Sequence, residues 1–206
     1  MNQQTISSPG IRGPADHDIR DQIVAAANEH FSQYGYSKTT VSDLAKAIGF
    51  SKAYIYKFFD SKQAIGEAIC ANCLSEIVAA VEHAINVDGI SSTERLRRLV
   101  KTLISTGVSL FFNDRKLYDI AAFAALESWP SSQVYDAQIK RFVAQIVREG
   151  RESGEFERKT PLDETVDSIH LALRPFVNPL LLQYNLDLVE VAPTLTSNLI
   201  LRSLMP

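Results

Sequence analysis

The chain has 206 residues, 46 % of them hydrophobic and 22 % charged, the composition of an ordinary soluble globular protein. A chain of this length can bury a large core unaided, and its two cysteines, Cys70 and Cys73, exclude a secreted disulfide framework. The net charge of −3 argues, taken alone, against a nucleic-acid binder.

The distribution of that charge says otherwise. Between Tyr36 and Lys62, five lysines (Lys38, Lys46, Lys52, Lys57, Lys62) stand against Asp43 and Asp60, a local balance of +3 that leaves −6 for the rest. Residues 1–16 are rich in Ser, Gln, Pro and Gly, lack an apolar core of signal-peptide length, and are expected to form a flexible arm. No apolar run approaches the roughly 18 residues that span a bilayer, so no membrane partner is expected and the cytoplasm is the expected compartment.

Beyond the arm, apolar residues recur at helical spacing nearly everywhere, with no period-2 strand pattern. Ile19, Ile23, Ala27, Phe31 and Tyr34 form one stripe, ended by Gly35. A short helix is predicted over about residues 41–48, capped by Thr40 and closed by Gly49. Another opens at Ser51 and runs to about Phe59, after which Asp60 or Ser61 caps a long helix towards Ile85. Asp88-Gly89 marks a turn, and Ser91-x-x-Glu94 reads as a capping box before Leu96, Leu99, Leu103 and Val108. Trp129-Pro130 is a break, and the helix over about 135–152 is stopped by Ser153-Gly154. Thr160-Pro161-x-Asp163 starts a further helix, which Pro175 and Pro179 kink or break. Pro193 opens the last one, ending near Leu204.

Two short helices joined by a Gly-containing turn, braced by a preceding helix, make a helix-turn-helix. Val41, Leu44, Ala45 and Ile48 supply the inner face of the positioning helix, and Ile55 and Phe59 that of the next one. Lys52, Ala53, Tyr54, Tyr56 and Lys57 are left to point outward in varying degrees. Aromatics set between lysines on an exposed face are poor surface design unless that face meets something. The bland alternative, aromatics as core and lysines as a solvated face, is accepted for Phe59 and partly for Phe58.

The run from Thr39 to Ile65 resembles the DNA-binding signature of TetR/AcrR-type transcriptional regulators. The features that carry it are Thr40, Leu44-Ala45, Gly49-x-Ser51, Tyr56, Phe59 and Lys62; Lys57 stands where the family often has His, and Ile48-Gly49 where Ala-Gly is commoner. The resemblance covers about residues 18–66, with a weaker echo at Arg148 to Phe156. It implies phosphate contacts for Thr40, Ser51, Tyr56 and Lys62, and positions nearest the base edges for Lys52, Ala53, Tyr54 and Lys57. It also implies an all-α chain: a three-helix DNA-binding bundle over residues 17–66 and a larger helical effector-binding and dimerisation domain over 67–206. The partners it implies are a palindromic double-stranded operator, a small-molecule effector, and a second copy docked through about residues 161–184 and 193–205.

Other constellations carry less. Cys70-x-x-Cys73 lies inside a helix with no second pair or nearby His, so packing is preferred to a zinc or redox role. His17, His30, His83 and His170 are too scattered to ligate a metal, and no metal or cofactor is expected. Phe111, Tyr118, Phe123, Trp129, His170 and Phe176 are candidate lining for an effector pocket, with core packing as the alternative. No phosphate loop, nucleophile elbow or His-Glu motif supports an enzyme. A helical protein-interaction module and an enzyme built on a helical bundle are the two rival classes.

Overall fold

The computed structural model describes residues 14–206, with side chains from residue 17 onward, so the expected arm lies outside the described residues except for the helical backbone of 14–16. Regular structure among the described residues is entirely helical. The elements are α1 (Pro14–Tyr34), α2 (Val41–Ile48), α3 (Lys52–Ile55), α4 (Lys62–Ile85), α5 (Ser92–Asn113), α6 (Arg115–Leu126), α7 (Pro130–Ser153), α8 (Leu162–Val177), α9 (Pro179–Leu182), a 3₁₀ turn at Leu186–Leu188, and α10 (Ala192–Ser203).

Local chemistry sets most of these boundaries. Ser51, Ser61 and Ser91 each accept a hydrogen bond from the backbone three residues on, giving α3, α4 and α5 a side-chain cap. At Ser91 the expected capping box is only half made, because the Glu94 carboxylate turns forward to Arg98 at 2.9 Å. The reciprocal box occurs instead at Thr40 and Asp43, on α2. Apolar periodicity does not mark the break at Asp114, which accepts from the Leu117 N–H at 3.0 Å and separates α5 from α6 as a single linking residue. Pro175 sits inside α8 without ending it, whereas Pro179 opens α9 as its first residue. Pro161 occupies the N-cap of α8, with no side-chain cap from Thr160.

The main core is a continuous cluster running from Ile23 in α1 to Leu204 after α10, with a smaller one around Tyr118, Ala122 and Leu182. α4 lies at its centre, packed against α5, α6, α7 and α1, with Ile65, Ile69, Leu74, Val81 and Ile85 buried. By length and apolar composition α4 could cross a membrane, which corrects the expectation that no run reaches that length. The physical reason is its position: a helix covered by neighbours on several sides is apolar on several sides. α1 packs on both α4 and α6, so the bundle formed by α1 to α3 is seated directly on the larger body.

Candidate nucleic-acid interface

The turn between α2 and α3 is built around Gly49, whose φ of 79° suits a residue without Cβ. The Phe50 N–H donates to the Ala45 carbonyl at 2.9 Å and the Gly49 N–H to that of Lys46, so the carbonyls at the end of α2 are satisfied within the turn. Val41, Leu44, Ala45, Ile55 and Phe59 are buried as expected, while Ile48 is only half-buried. The expected helix over 51–59 is regular only through Ile55; beyond it, the Lys57 and Phe58 N–H groups make tighter bonds, three residues back, to Tyr54 and Ile55.

The outer face of α3 carries Ser51, Lys52, Ala53, Tyr56 and Lys57, all exposed. The Lys52 ammonium lies 5.8 Å from the centre of the Tyr56 ring, and that of Lys57 lies 5.4 Å from Tyr54. Tyr54 itself is half-buried, edge-on to Phe50 at 5.0 Å and to Phe58 at 5.3 Å. Two lysine–tyrosine couples thus stand side by side, giving cationic points for phosphates and flat surfaces for the backbone of a duplex.

Thr40 and Lys62 are set apart. The Thr40 hydroxyl donates to the Asp43 carboxylate at 2.6 Å and its N–H donates to the same oxygen at 2.9 Å. These hydrogen bonds hold the Asp43 carboxyl below its ordinary pKa, so an anion already occupies the start of α2. Lys62 is half-buried, and its ammonium donates to the carbonyls of Tyr36 at 3.1 Å and Thr39 at 3.2 Å while lying 4.4 Å from the Tyr36 ring. Burial lowers its pKa. In this arrangement Lys62 ties the start of α4 to the loop before α2, and one of its three N–H groups remains for a phosphate.

Three residues that position this face carry no local motif. Arg20 in α1 donates to the Phe58 carbonyl at 2.8 Å and stacks 4.1 Å over Phe59, pinning the exit of α3. Thr39 is buried and donates to the Gly35 carbonyl at 2.9 Å. Tyr36 packs on Phe123 and on Trp129, each at 5.6 Å, linking the bundle to the larger body. Only their spacing from an already recognised helix-turn-helix could have flagged them.

The six aromatic and histidine candidates for an effector pocket fall in three separate places. Phe111, Tyr118 and Phe176 share a small cluster with Leu182, where the Tyr118 hydroxyl donates to the Pro179 carbonyl. Phe123 and Trp129 belong to the Tyr36 junction. His170 lies on α8 near Asp136, with its Nδ1 buried and unpartnered; burial lowers its pKa and Asp136 partly offsets this. The two cysteines are buried free thiols, raised to about 11 at Cys70 and about 12 at Cys73, chiefly by burial, which leaves them protonated near neutral pH.

Comparison with known proteins settles the family. The family model described as "Bacterial regulatory proteins, tetR family" matches residues 23–69, which contain the whole α2–turn–α3 unit, and "Tetracyclin repressor-like, C-terminal domain" matches residues 92–188. The chain belongs to the TetR family. It is 25 % identical over 136 residues to the uncharacterized HTH-type transcriptional regulator YdgC of Bacillus subtilis, covering 66 % of this chain and 65 % of that protein. It is 35 % identical over 71 residues to IcaR of Staphylococcus aureus, the negative regulator of a biofilm operon, covering 33 % of this chain and 38 % of that one. The matched regions therefore span under two thirds of the length of either relative. The crystal structure of the Bacillus subtilis regulator FadR in complex with stearoyl-CoA shares the fold, with a TM-score of 0.65 at 21 % identity, covering 89 % of this chain and 98 % of that one. These family members are transcriptional regulators rather than enzymes.

Proposed function

We propose that this TetR-family regulator acts in the cytoplasm as a homodimeric repressor, released from a palindromic operator by a small molecule. The observation that carries the reading is the outward face of α3, where Lys52, Tyr56 and Lys57 are exposed beyond a well-formed helix-turn-helix. Ala53 and Tyr54 complete the face turned to the bases, and Thr40, Ser51 and Lys62 flank it towards the phosphates. A single short recognition helix reads too few base pairs to be selective. A two-fold dimer doubles the contacts and places half-sites about one helical turn, roughly 34–36 Å, apart.

The α8 and α10 surfaces support such a dimer. Leu171, Leu195 and Leu199 are 63 %, 64 % and 67 % exposed, and Leu199 lines a shallow hollow with the small residues Ser168 and Ala172. Leu182 and Ile200 face the core instead, so the greasy face is narrower than the leucine count of these segments suggests. Repression and ligand response are supported by the relatives: IcaR is named a negative regulator, and FadR is seen with stearoyl-CoA. Effector binding would favour one separation of the two recognition helices and DNA the other, weakening DNA binding by about 1–3 kcal/mol.

The test is selection of bound sequences from a random duplex pool by purified protein, beside the Tyr56→Ala/Lys57→Ala variant. An enriched palindrome that the variant loses is the expected result. No enrichment at low salt, by protein refolded to strip any ligand, would overturn the DNA-binding reading.

A further inference from the structure

Two adjoining cavities, of about 320 and 360 Å³, open between α1, α4, α5 and α6, and both are lined by Cys73, Glu76 and Leu110. Their floor is apolar, formed by Val24, Ile69, Leu110 and Leu117 on one side and Ile77 on the other. The polar groups around it are the acids Asp21, Glu76 and Asp114, the amides Asn28, Asn72 and Asn113, and in the second cavity the hydroxyls of Thr106 and Ser109. Among the described residues no lysine or arginine lines either cavity. At the exposed rim, the His17 ring lies 3.5 Å from the Asp21 carboxylate. Asp114 is already engaged as the cap of α6, but Glu76 has no ion-pair partner within 4 Å among the described residues. The Asn28 side-chain oxygen is buried and accepts no hydrogen bond. A buried acceptor left unpaired is costly, which singles it out as a position that a donor from outside the chain would satisfy.

We propose that this cleft is the effector site, and that it takes a lipophilic cation: an apolar body against Val24, Ile69, Leu110 and Leu117, with a protonated amine between Asn28 Oδ1 and the Glu76 carboxylate. The proposal rests on the ligand-responsive reading above and gives it a location. The field inside the cleft agrees with it, since the Cys73 thiol is raised first by burial and then by Cys70, Glu76 and Asp114. The location also supplies a lever. Val24 and Asn28 belong to α1, the helix whose Arg20 pins the exit of α3, while the opposite wall belongs to α4, α5 and α6. A ligand wedged there contacts both the DNA-binding bundle and the body, so it distinguishes one seating of α1 from another.

The test compares dodecylammonium with dodecanoate, the same chain with opposite charge, by titration calorimetry below their micelle concentrations. The intact protein should bind the cation and reject the anion. Glu76→Gln and Asn28→Leu should each weaken cation binding about tenfold or more, the loss of one hydrogen bond to a charged group. Glu164→Gln, which alters an exposed acid on α8, should leave binding unchanged. Glu76 is exposed, so its variant keeps the fold, and an unaltered melting curve checks this. Equal cation affinity in all variants, or equal binding of dodecanoate, overturns the site. Binding that depends on Glu76, with operator affinity unmoved by the cation, keeps the cation site but overturns its role as the effector site.

Discussion

Gly150→Ala should destabilise this protein although alanine is the better helix former. In the interior of a helix the exchange ordinarily gains about 1 kcal/mol. Here Gly150 is buried near the end of α7, and a Cβ at that position would stand 2.2 Å from Cδ2, 2.5 Å from Cε2 and 2.8 Å from Cγ of Phe156. That ring is 3 % exposed, and its residue is held close because the Phe156 N–H donates to the Gly150 carbonyl at 3.0 Å. Overpacking of this kind costs about 1–3 kcal/mol, and full expulsion of the ring costs about 3–5 kcal/mol. Net of the helix gain, the expected loss is about 2 kcal/mol, a fall in Tm of roughly 4–8 °C for a chain of this size. Thermal unfolding followed by circular dichroism reads it. The decisive arm is a double-mutant cycle with Phe156→Ala, in whose background the same Gly150→Ala change should become neutral or stabilising. An equal loss in both backgrounds, or a raised Tm in the parent, would refute the clash as the cause.

Lys52→Ala and Lys57→Ala should each weaken operator binding and flatten the dependence of log affinity on log salt by about 1, as measured by fluorescence anisotropy over a salt series. Leu171→Asp combined with Leu199→Asp should yield a folded monomer by light scattering, with operator affinity greatly reduced. Glu155 accepts from the Ser92 and Thr93 N–H groups, both at 3.0 Å, at the start of α5. Burial opposes its charge, but those bonds prevail and lower its pKa. A depressed carboxyl contributes stability above its unfolded pKa and loses it as pH falls through the folded one. Glu155→Gln should therefore cost about 1 kcal/mol at neutral pH, and the gap in Tm from the parent should close as the solution is acidified through the carboxylate range.

What the sequence made legible was the local part. Thr40, Ser51, Ser61 and Ser91 cap their helices by bonds spanning three residues, and Gly35, Gly49 and Gly154 close theirs at positive φ, so each signal lies within one turn of its effect. Asp114 is equally local, but Phe111 and Phe112 continue the apolar pattern up to it and mask the break. The remainder depends on partners distant in the chain. Arg20 meets the Phe58 carbonyl 38 residues on, Lys62 turns back 26 residues to Tyr36, and Glu155 caps a helix that starts more than 60 residues earlier. Periodicity carries no record of such pairings. It also fails to separate core from cavity wall, which is why the five aromatic pocket candidates and His170 lie in three separate places.

The seating of α1 has a consequence for how such a regulator can be re-engineered or can diverge. Tyr36 rests on Phe123 and Trp129, and Gly66 is bare beneath it, since a Cβ there would lie 2.8 Å from the Tyr36 ring and 3.0 Å from that of Trp129. Residues 17–66 are thus no interchangeable cassette. Transplanted onto a relative's body they would lose their footing unless the residues at 123 and 129 travelled with them. Lys52, Ala53 and Lys57 carry no such debt, because they are exposed and apart from the core. On the proposed reading, the exposed face of α3 is therefore free to change by single substitutions, while the packed joint at Tyr36 changes only in concert.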